Sequence, residues 1–417
     1  MSFPNMTVHH TPRAEFIALI ALLTAMVGMS IDTMLPGIGI MAQELQAAHS
    51  NDRQFIILGF FIGITFGTLI FGPISDSVGR KPTIFAGLAF FVMGAALCYF
   101  ATSFPVLVLG RVIQGFGASS PRSVSMAMVR DNAYGAAMAR IMSFVMSVFM
   151  LVPIFAPTIG QFVLDHGSWR LIFEGFIAAA VIAGLWLHFR QDETLHPEFR
   201  RPFSVGALVS SAGEVVRSPV SLGYTIAVGA IFGAFLCYLG TSQQIFAEQY
   251  QQGEYFSYWF GGFAVALAAA MIFNGRAVMK LGMRTLSKWA LRGFIVVWTV
   301  MMVLCFMFAG HPPLLLIAPL FLGSFFCSGL LFGNYNAMAM EPMGHIAGMA
   351  AAVSGALSSL ISLVLGGITG QQYDGTLYPL AGAFLGFGIL AWLASEWAER
   401  YRVERPAGAP VLDTGHL

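Results

Sequence analysis

The chain has 417 residues, of which 57% are hydrophobic and only 10% are charged, with 46 Gly and 38 Phe. Soluble proteins carry about 25% charged residues, so this composition cannot cover a water-exposed surface and excludes a soluble globular protein. The formal net charge of +1 gives no basic excess, and we therefore expect no nucleic-acid partner.

Apolar stretches separated by short polar breaks predict twelve membrane-spanning helices. They lie at about residues 14–40, 54–74, 83–101, 105–128, 137–163, 169–190, 219–246, 256–275, 286–309, 313–338, 346–371 and 376–398. A long polar stretch separates the first six helices from the last six. The sequence therefore predicts an all-α membrane protein with two pseudo-symmetric six-helix bundles, at 1–190 and 218–417, joined by a cytoplasmic linker at 191–217.

The distribution of basic residues predicts the orientation of these helices. If the N-terminus is cytoplasmic, seventeen Lys and Arg fall in inner loops and tails, against only Arg53 and Arg170 in outer loops. Such a bias is typical of cytoplasmic loops. We expect a multi-pass protein of the cell (inner) membrane, surrounded by the lipid bilayer, with both termini cytoplasmic. A chain that carries both halves needs no second subunit, so we expect a monomer.

Sequence signatures of catalysis are absent. No Lys follows a Gly, so there is no phosphate-binding loop, and neither HExxH nor GxSxG occurs. Four cysteines lie in apolar stretches without CxxC pairing and are expected to be packing residues: Cys98, Cys237, Cys305 and Cys327. We therefore expect no enzymatic activity, no catalytic residues, no cofactor and no metal site.

Asp32 is the most informative residue of the chain. It lies in SIDTMLP, with Pro36 four residues later. Counted from residue 14 at about 1.5 Å per residue, it lies roughly 27 Å along the first helix, in the outer half of the membrane. An ionisable residue at membrane depth is costly and indicates function. The alternative is that the helix ends near Met29 and that Asp32 is a solvated loop residue.

Arg111 is the predicted partner of Asp32. The fourth helix enters from the outside at about residue 105, so Arg111 lies roughly 9 Å inside the membrane, at a compatible depth. A nearby guanidinium favours the ionised carboxylate and burial favours the protonated one, so such a pair can load and release a proton. We predict that Asp32 and Arg111 carry proton coupling. The alternative is a static ion pair that holds the first and fourth helices together.

The remaining polar residues at membrane depth have weaker interpretations. Arg122, roughly 25 Å along the fourth helix, is interpreted as snorkelling to the inner surface or pairing with a loop acid, and substrate binding is the alternative. In the fifth helix, Pro153, Pro157 and Gly160 predict a hinge. The candidate substrate-binding residues, for which interhelical hydrogen bonding is the alternative, are Gln114, Tyr238, Gln243, Asn334, Asn336 and Ser358.

Several segments resemble motifs of the major facilitator superfamily. GPISDSVGRKP at 72–82 resembles its loop 2–3 signature and recurs in weaker form as NGRAVMKLGMR at 274–284, as expected of a duplicated bundle. RVIQGFG at 111–117 resembles its helix 4 motif, and 153–160 its helix 5 antiporter motif. Asp32 with Pro36 is similar to the helix 1 motif of the twelve-helix drug:proton antiporters. APTIG, with WRLIF at 169–173, points to their Bcr/CflA-like branch.

The resemblance implies the major facilitator fold, alternating access to a central cavity, and export coupled to inward proton flow. Two positions depart from the motifs: Ala156 stands where the antiporter motif usually has Gly, and Thr24 where some relatives have a second acid. The resemblance also implies a conformational latch formed by Gly72, Asp76, Gly79, Arg80 and Lys81.

These observations together predict a proton-coupled secondary transporter. It would export a small, largely apolar compound, such as an antibiotic or a toxic metabolite, in exchange for protons. The alternatives are a proton-coupled symporter that imports a small nutrient and a non-transporting membrane receptor.

Overall fold

The computed structural model describes residues 14–402 except 201 and 203, and this part of the chain is all-helical. Apart from short 3₁₀ and π turns, its α-helices are α1 Ala14–Asp32, α2 Ile38–Glu44, α3 Phe55–Val78, α4 Arg80–Tyr99, α5 Phe104–Asn132, α6 Gly135–His166, α7 Arg170–Arg190, α8 Val205–Arg217, α9 Pro219–Gln243, α10 Phe256–Leu281, α11 Met283–Met307, α12 Leu314–Met340, α13 Ala347–Gly370 and α14 Tyr378–Arg400.

Twelve of these helices match the twelve predicted spans, and α2 and α8 are the two short ones. Within the described residues, ten stretches are long and apolar enough to cross a bilayer, and one of them, the 57-residue stretch Leu314–Gly370, holds both α12 and α13. The helix α5 is not among the ten, because Arg111, Arg122 and several Ser and Gly residues dilute its apolar character. The predicted twelve-helix architecture is confirmed.

The first predicted span is divided. The helix α1 ends at Asp32, a 3₁₀ turn follows at Leu35–Gly37, and α2 continues to Glu44. Pro36 lies in this turn, where it has no N–H to continue the helical ladder. Asp32 is only 6% exposed, because the chain remains packed in the bundle beyond α1. The alternative that Asp32 is a solvated loop residue is wrong.

Close backbone contacts hold each half of the molecule together. In the N-terminal half, a Cβ atom on Gly63 would lie 2.0 Å from the carbonyl oxygen of Val112, and one on Gly115 would lie 2.0 Å from that of Phe60. These glycines let α3 and α5 approach to backbone contact. In the C-terminal half, α9 packs against α13 and α14, and the two halves meet where α3 packs on α13 and α6 packs on α10.

The connections between the helices distinguish the two ends of the bundle. The linker end is where α1 begins, α7 ends and residues 191–217 join the halves, and the far end holds the connection between α2 and α3. Three of the basic residues that the orientation prediction used, Arg13, Arg201 and Arg405, lie outside the described residues.

Candidate functional site

Arg111 is completely buried where three helices meet. Its Nη2 donates to the carbonyl oxygen of Ser30 in α1 (2.9 Å), its Nε to that of Ile56 in α3 (3.1 Å), and its Nη1 to Oε1 of Gln114 in α5 (2.6 Å). The guanidinium carbon lies 4.2 Å from the ring centroid of Phe60. Arg111 therefore ties α5 to both α1 and α3.

The predicted ion pair between Asp32 and Arg111 is not formed. Within residues 14–402 as described, the Asp32 carboxylate forms no salt bridge. Arg111 does lie beside α1, as its predicted depth in the membrane required. However, its Nη2 donates to the backbone carbonyl of Ser30, two residues before Asp32. The static ion pair offered as an alternative is absent for the same reason.

Tyr238 of α9 is a buried polar residue of the C-terminal half. Its ring is fully buried, stacked on Phe260 at 5.8 Å and edge-on to Phe325 at 4.9 Å. Its hydroxyl has no hydrogen-bond partner among the described residues. Such a buried, unpaired hydroxyl costs about 1–3 kcal/mol. The helix α9 therefore holds an unused donor in the interior of the bundle.

A cavity of about 290 Å³ lies between the two halves. At about 1.5 Å per residue, Thr24, Arg122 and Ser359 lie about 15 to 18 Å from the linker ends of α1, α5 and α13, so the cavity is near the middle of the bundle. Its lining combines apolar, hydroxyl and basic side chains: Thr24, Ile64, Thr65, Thr68, Arg122, Ser123, Met126, Met146, Phe149, Gly355, Ala356 and Ser359.

The six predicted substrate-binding residues lie elsewhere in this conformation. Gln114 accepts from Arg111, and the side chains of Asn334 and Asn274 bond each other at 3.0 and 3.1 Å. Gln243 accepts from Arg53 at the far end. The other three are the buried Tyr238, the exposed Asn336, and Ser358, which bonds its own helix one turn back. Their role in binding stays a prediction.

Most residues of the cavity lining were not predicted from the sequence. For Arg122, the sequence does contain a feature that indicates its position. The predicted pairing of Arg122 with a loop acid is not formed, and its snorkelling to the inner surface stays a prediction. Among the described residues it forms no salt bridge, and it lines the central cavity. Arg122 follows Arg111 by 11 residues, which is about three turns, so both lie on the same face of α5. That spacing indicates an inward-facing side chain.

An ionic cluster surrounds the start of α4 at the linker end. Arg80 pairs with Asp76, and its Nε donates to Oδ2 of Asp131 at 2.8 Å. Glu193 of the linker accepts the backbone N–H groups of Arg80 (2.9 Å) and Lys81 (3.0 Å). A carboxylate at a helix N-terminus satisfies N–H groups that have no partner within the helix. Two of the predicted latch residues, Arg80 and Lys81, therefore contact the linker.

Two glycines of the predicted latch differ in their surroundings. Gly79 has φ +124°, in the region that favours glycine, and a Cβ atom there would lie 2.6 Å from Oε2 of Glu193. Gly72 has open space around it. The Nζ of Lys81 donates to the carbonyl oxygens of His188 and Gln191. Whether this cluster acts as a latch stays a prediction.

A polar network joins the two halves at the far end. Arg53 pairs with Glu248 and donates to Gln243 at 2.9 Å, and Gln54 donates to the carbonyl oxygen of Gly370 at 2.8 Å. Within the described part of the chain, every hydrogen bond between 14–190 and 219–402 involves residues 50–54. The halves are therefore tied together at the far end in this conformation.

The predicted hinge of the fifth span lies in α6, which continues through Pro153 and Pro157. At Gly160, α6 rests on the backbone that follows α1, and a Cβ atom on Gly160 would lie 1.7 Å from the carbonyl oxygen of Thr33. Gly160 therefore permits the close contact between α6 and the segment that carries Asp32. Its action as a hinge stays a prediction.

Twelve spans in two halves around a central cavity are the architecture of a secondary transporter. Residues 20–369 match the Major Facilitator Superfamily, and the chain belongs to that superfamily. It is accordingly a multi-pass membrane transporter and not an enzyme.

Similar proteins and structures agree with this assignment. The chain is 27% identical over 393 residues to the "uncharacterized MFS-type transporter YdgK" of Bacillus subtilis, covering 93% of this chain and 96% of that protein. It is 25% identical over 381 residues to the "bicyclomycin resistance protein homolog" of Haemophilus influenzae, covering 90% and 95%. The crystal structure of a D-xylose–proton symporter has the same fold, with a TM-score of 0.73 at 14% identity, covering 93% and 97%.

Proposed function

We propose that the chain is a proton-coupled exporter of small, largely apolar compounds, such as drugs or toxic metabolites, in the Bcr/CflA-like branch of the drug:proton antiporters. The similarity to the bicyclomycin resistance protein homolog over 90% of the chain supports the branch. The excess of basic residues at the linker end supports a cytoplasmic placement of that end in the inner membrane. The far end is then the outer end.

The buried carboxylate of Asp32 carries the proposal. It is 6% exposed and has no cationic partner among the described residues. Burying an ionised carboxylate without a partner is costly. Its charge state therefore responds to whether water or packed protein surrounds it. As the two halves rock about the central cavity, Asp32 takes up a proton from the outer side and releases it to the inner side.

The arrangement of the two halves supports alternating access. The far-end network closes the outer side in this conformation, while the cavity lies at mid-depth, where secondary transporters bind their substrates. Arg111 fixes the end of α1 and thereby holds Asp32 in place. We propose that Arg111 contributes to coupling by positioning Asp32 and not by pairing with it directly.

The test is gradient-driven transport in vesicles that contain the purified protein, with labelled bicyclomycin as the probe and a panel of antibiotics beside it. An exporter moves the probe against the direction of proton flow. The Asp32→Asn variant is expected to have a gradient-driven rate at least tenfold lower than that of the native protein. It should still exchange labelled for unlabelled substrate when no gradient is present. Asp165→Asn, which changes an exposed acid of α6, is the matched control and should transport normally.

Two outcomes would contradict the proposal. Undiminished gradient-driven transport by Asp32→Asn would remove Asp32 as the proton carrier. Accumulation of a nutrient in the direction of proton flow would instead indicate a symporter.

A further inference from the structure

The central cavity contains one charged side chain, Arg122, which projects from α5. Among the described residues it forms neither a salt bridge nor a hydrogen bond, although it is accessible from the cavity. The other lining residues are uncharged. The cavity therefore carries an uncompensated positive charge at mid-depth, where the surrounding protein and lipid screen it less than bulk water does.

Most hydroxyl groups of the lining have already used their hydrogen. Each donates to a carbonyl oxygen of its own helix at 2.7 or 2.8 Å, which leaves only oxygen lone pairs toward the cavity: Thr24, Thr65, Thr68 and Ser123. The hydroxyl of Ser359 differs, since it makes no hydrogen bond within the described residues.

Two free donors thus remain in the cavity, and they come from opposite halves. Arg122 lies on α5 in the N-terminal half and Ser359 on α13 in the C-terminal half. A ligand that accepts hydrogen bonds from both bridges the halves. Beside these donors, Ile64, Met126 and Phe149 provide apolar surface.

We propose that Arg122 and Ser359 bind the anionic group of an amphipathic substrate. A guanidinium binds carboxylate and phosphate oxygens in a bidentate manner, and the apolar wall accepts the rest of the molecule. The cavity of about 290 Å³ is at the lower end of the range for small-molecule sites. That the bound molecule is a transported substrate rests on the proposed function, whereas the anion-binding site itself does not.

The test measures binding without any proton gradient, using purified protein in lipid-free detergent. The probes are 4-phenylbutyrate and its neutral analogue 4-phenylbutyramide, which share one apolar body. We expect the native protein to bind the acid at least about tenfold more tightly than the amide, since a hydrogen bond to a charged group is among the stronger ones.

Variants assign this preference to the two donors. Arg122→Gln should abolish it, Arg122→Lys should keep part of it, and Ser359→Ala should reduce it less than Arg122→Gln does. Arg130→Gln, an exposed position on the same helix and outside the cavity, should leave it unchanged. Equal binding of the two probes to the native protein, no binding of either probe at millimolar concentration, or a preference that survives Arg122→Gln would overturn the inference.

The phosphate of a membrane lipid has the same chemistry as a free anion, and a further arm separates the two sources. Phosphatidylglycerol added to the micelles should compete with 4-phenylbutyrate if a lipid occupies the site, and should leave its binding unchanged if a soluble anion does. Failure of the proposed export is distinguishable, because binding is measured without transport. A protein that shows the acid preference but no gradient-driven export keeps the anion site and loses the proposed function.

Discussion

A single side chain, Arg111, illustrates how a buried charge is accommodated without an opposite charge. The carbonyl of Ser30 is among the last four of α1, which have no partner within the helix, and the guanidinium donates to it at 2.9 Å. A cation also interacts favourably with the negative end of the helix dipole. Arg111 therefore caps α1 directly beside Asp32.

The Arg111→Lys variant tests this capping role. The ammonium group keeps the charge but cannot reproduce the fork that reaches Ser30, Ile56 and Gln114 together. A hydrogen bond to a charged group contributes about 1.5–3 kcal/mol, so we expect a loss of about 3 kcal/mol and a thermal midpoint several degrees lower, measured by unfolding in one detergent.

The control for this variant is Arg130→Lys, the same change at an exposed position of α5, which should leave the midpoint unchanged. A midpoint of Arg111→Lys equal to that of the native protein would mean that the three bonds contribute little. It would also remove the argument that Arg111 positions Asp32.

At the scale of elements, the contact between α6 and the end of α1 determines where Asp32 lies. Gly160 of α6 rests on the carbonyl of Thr33, the residue after Asp32. One turn earlier, the buried Ala156 of α6 clusters with Ala25 of α1. A methyl group at Gly160 would push α6 away from the segment that carries the acid.

We therefore expect Gly160→Ala to destabilise the protein. The added Cβ atom would approach a backbone oxygen at 1.7 Å, and overpacking of this kind costs about 1–3 kcal/mol. Gly175→Ala in α7, where a Cβ atom meets nothing within 4 Å, is the matched control and should be neutral or slightly stabilising, because Ala favours helices over Gly.

The measurement for this pair is the thermal midpoint together with the gradient-driven transport rate. A loss of transport that exceeds the loss of folded protein would connect the α1–α6 contact to coupling. Equal midpoints for Gly160→Ala and Gly175→Ala would show that α6 can shift freely, which contradicts the tight contact.

At the scale of the whole molecule, the bilayer explains why much of the fold could be predicted. Each span needs about 20 apolar residues, so most of the helices follow from the apolar stretches of the sequence. The helix α5 is not apolar enough to be found by this criterion alone, and the break at α1 could be anticipated only from Pro36. The cavity lining could not be predicted in this way. Which side chains face the centre depends on the rotation of each helix and on the conformation, and Tyr238 and Gln243 are polar residues that face other surfaces.

The two ends of the molecule differ in how they are held. The linker-end cluster around Arg80 lies within the N-terminal half and the linker, whereas the far-end network around Arg53 crosses between the halves. The far-end network must break when the halves separate at the far end, whereas the cluster around Arg80 contains no bond between the halves within the described part of the chain. The ion pair between Arg53 and Glu248 is the one salt bridge of the far-end network among the described residues, and Arg53 also donates to Gln243. The other bonds across the halves join neutral amides, hydroxyls and carbonyls.

The Glu248→Gln variant should therefore shift the conformational equilibrium toward opening at the far end. A partly exposed ion pair contributes up to about 1 kcal/mol, so the open population should rise by up to about fivefold. Spin labels on cysteines introduced at the exposed positions Ala48 and Glu254, one in each half, would report a longer distance for this population.

The control is Glu341→Gln, which removes the ion pair between Glu341 and Arg284 within the C-terminal half. The side chain of Glu341 is 47% exposed, close to the 50% of Glu248. This variant should leave the distances unchanged. Identical distance distributions for Glu248→Gln and the native protein would show that the remaining hydrogen bonds hold the far end closed without this ion pair.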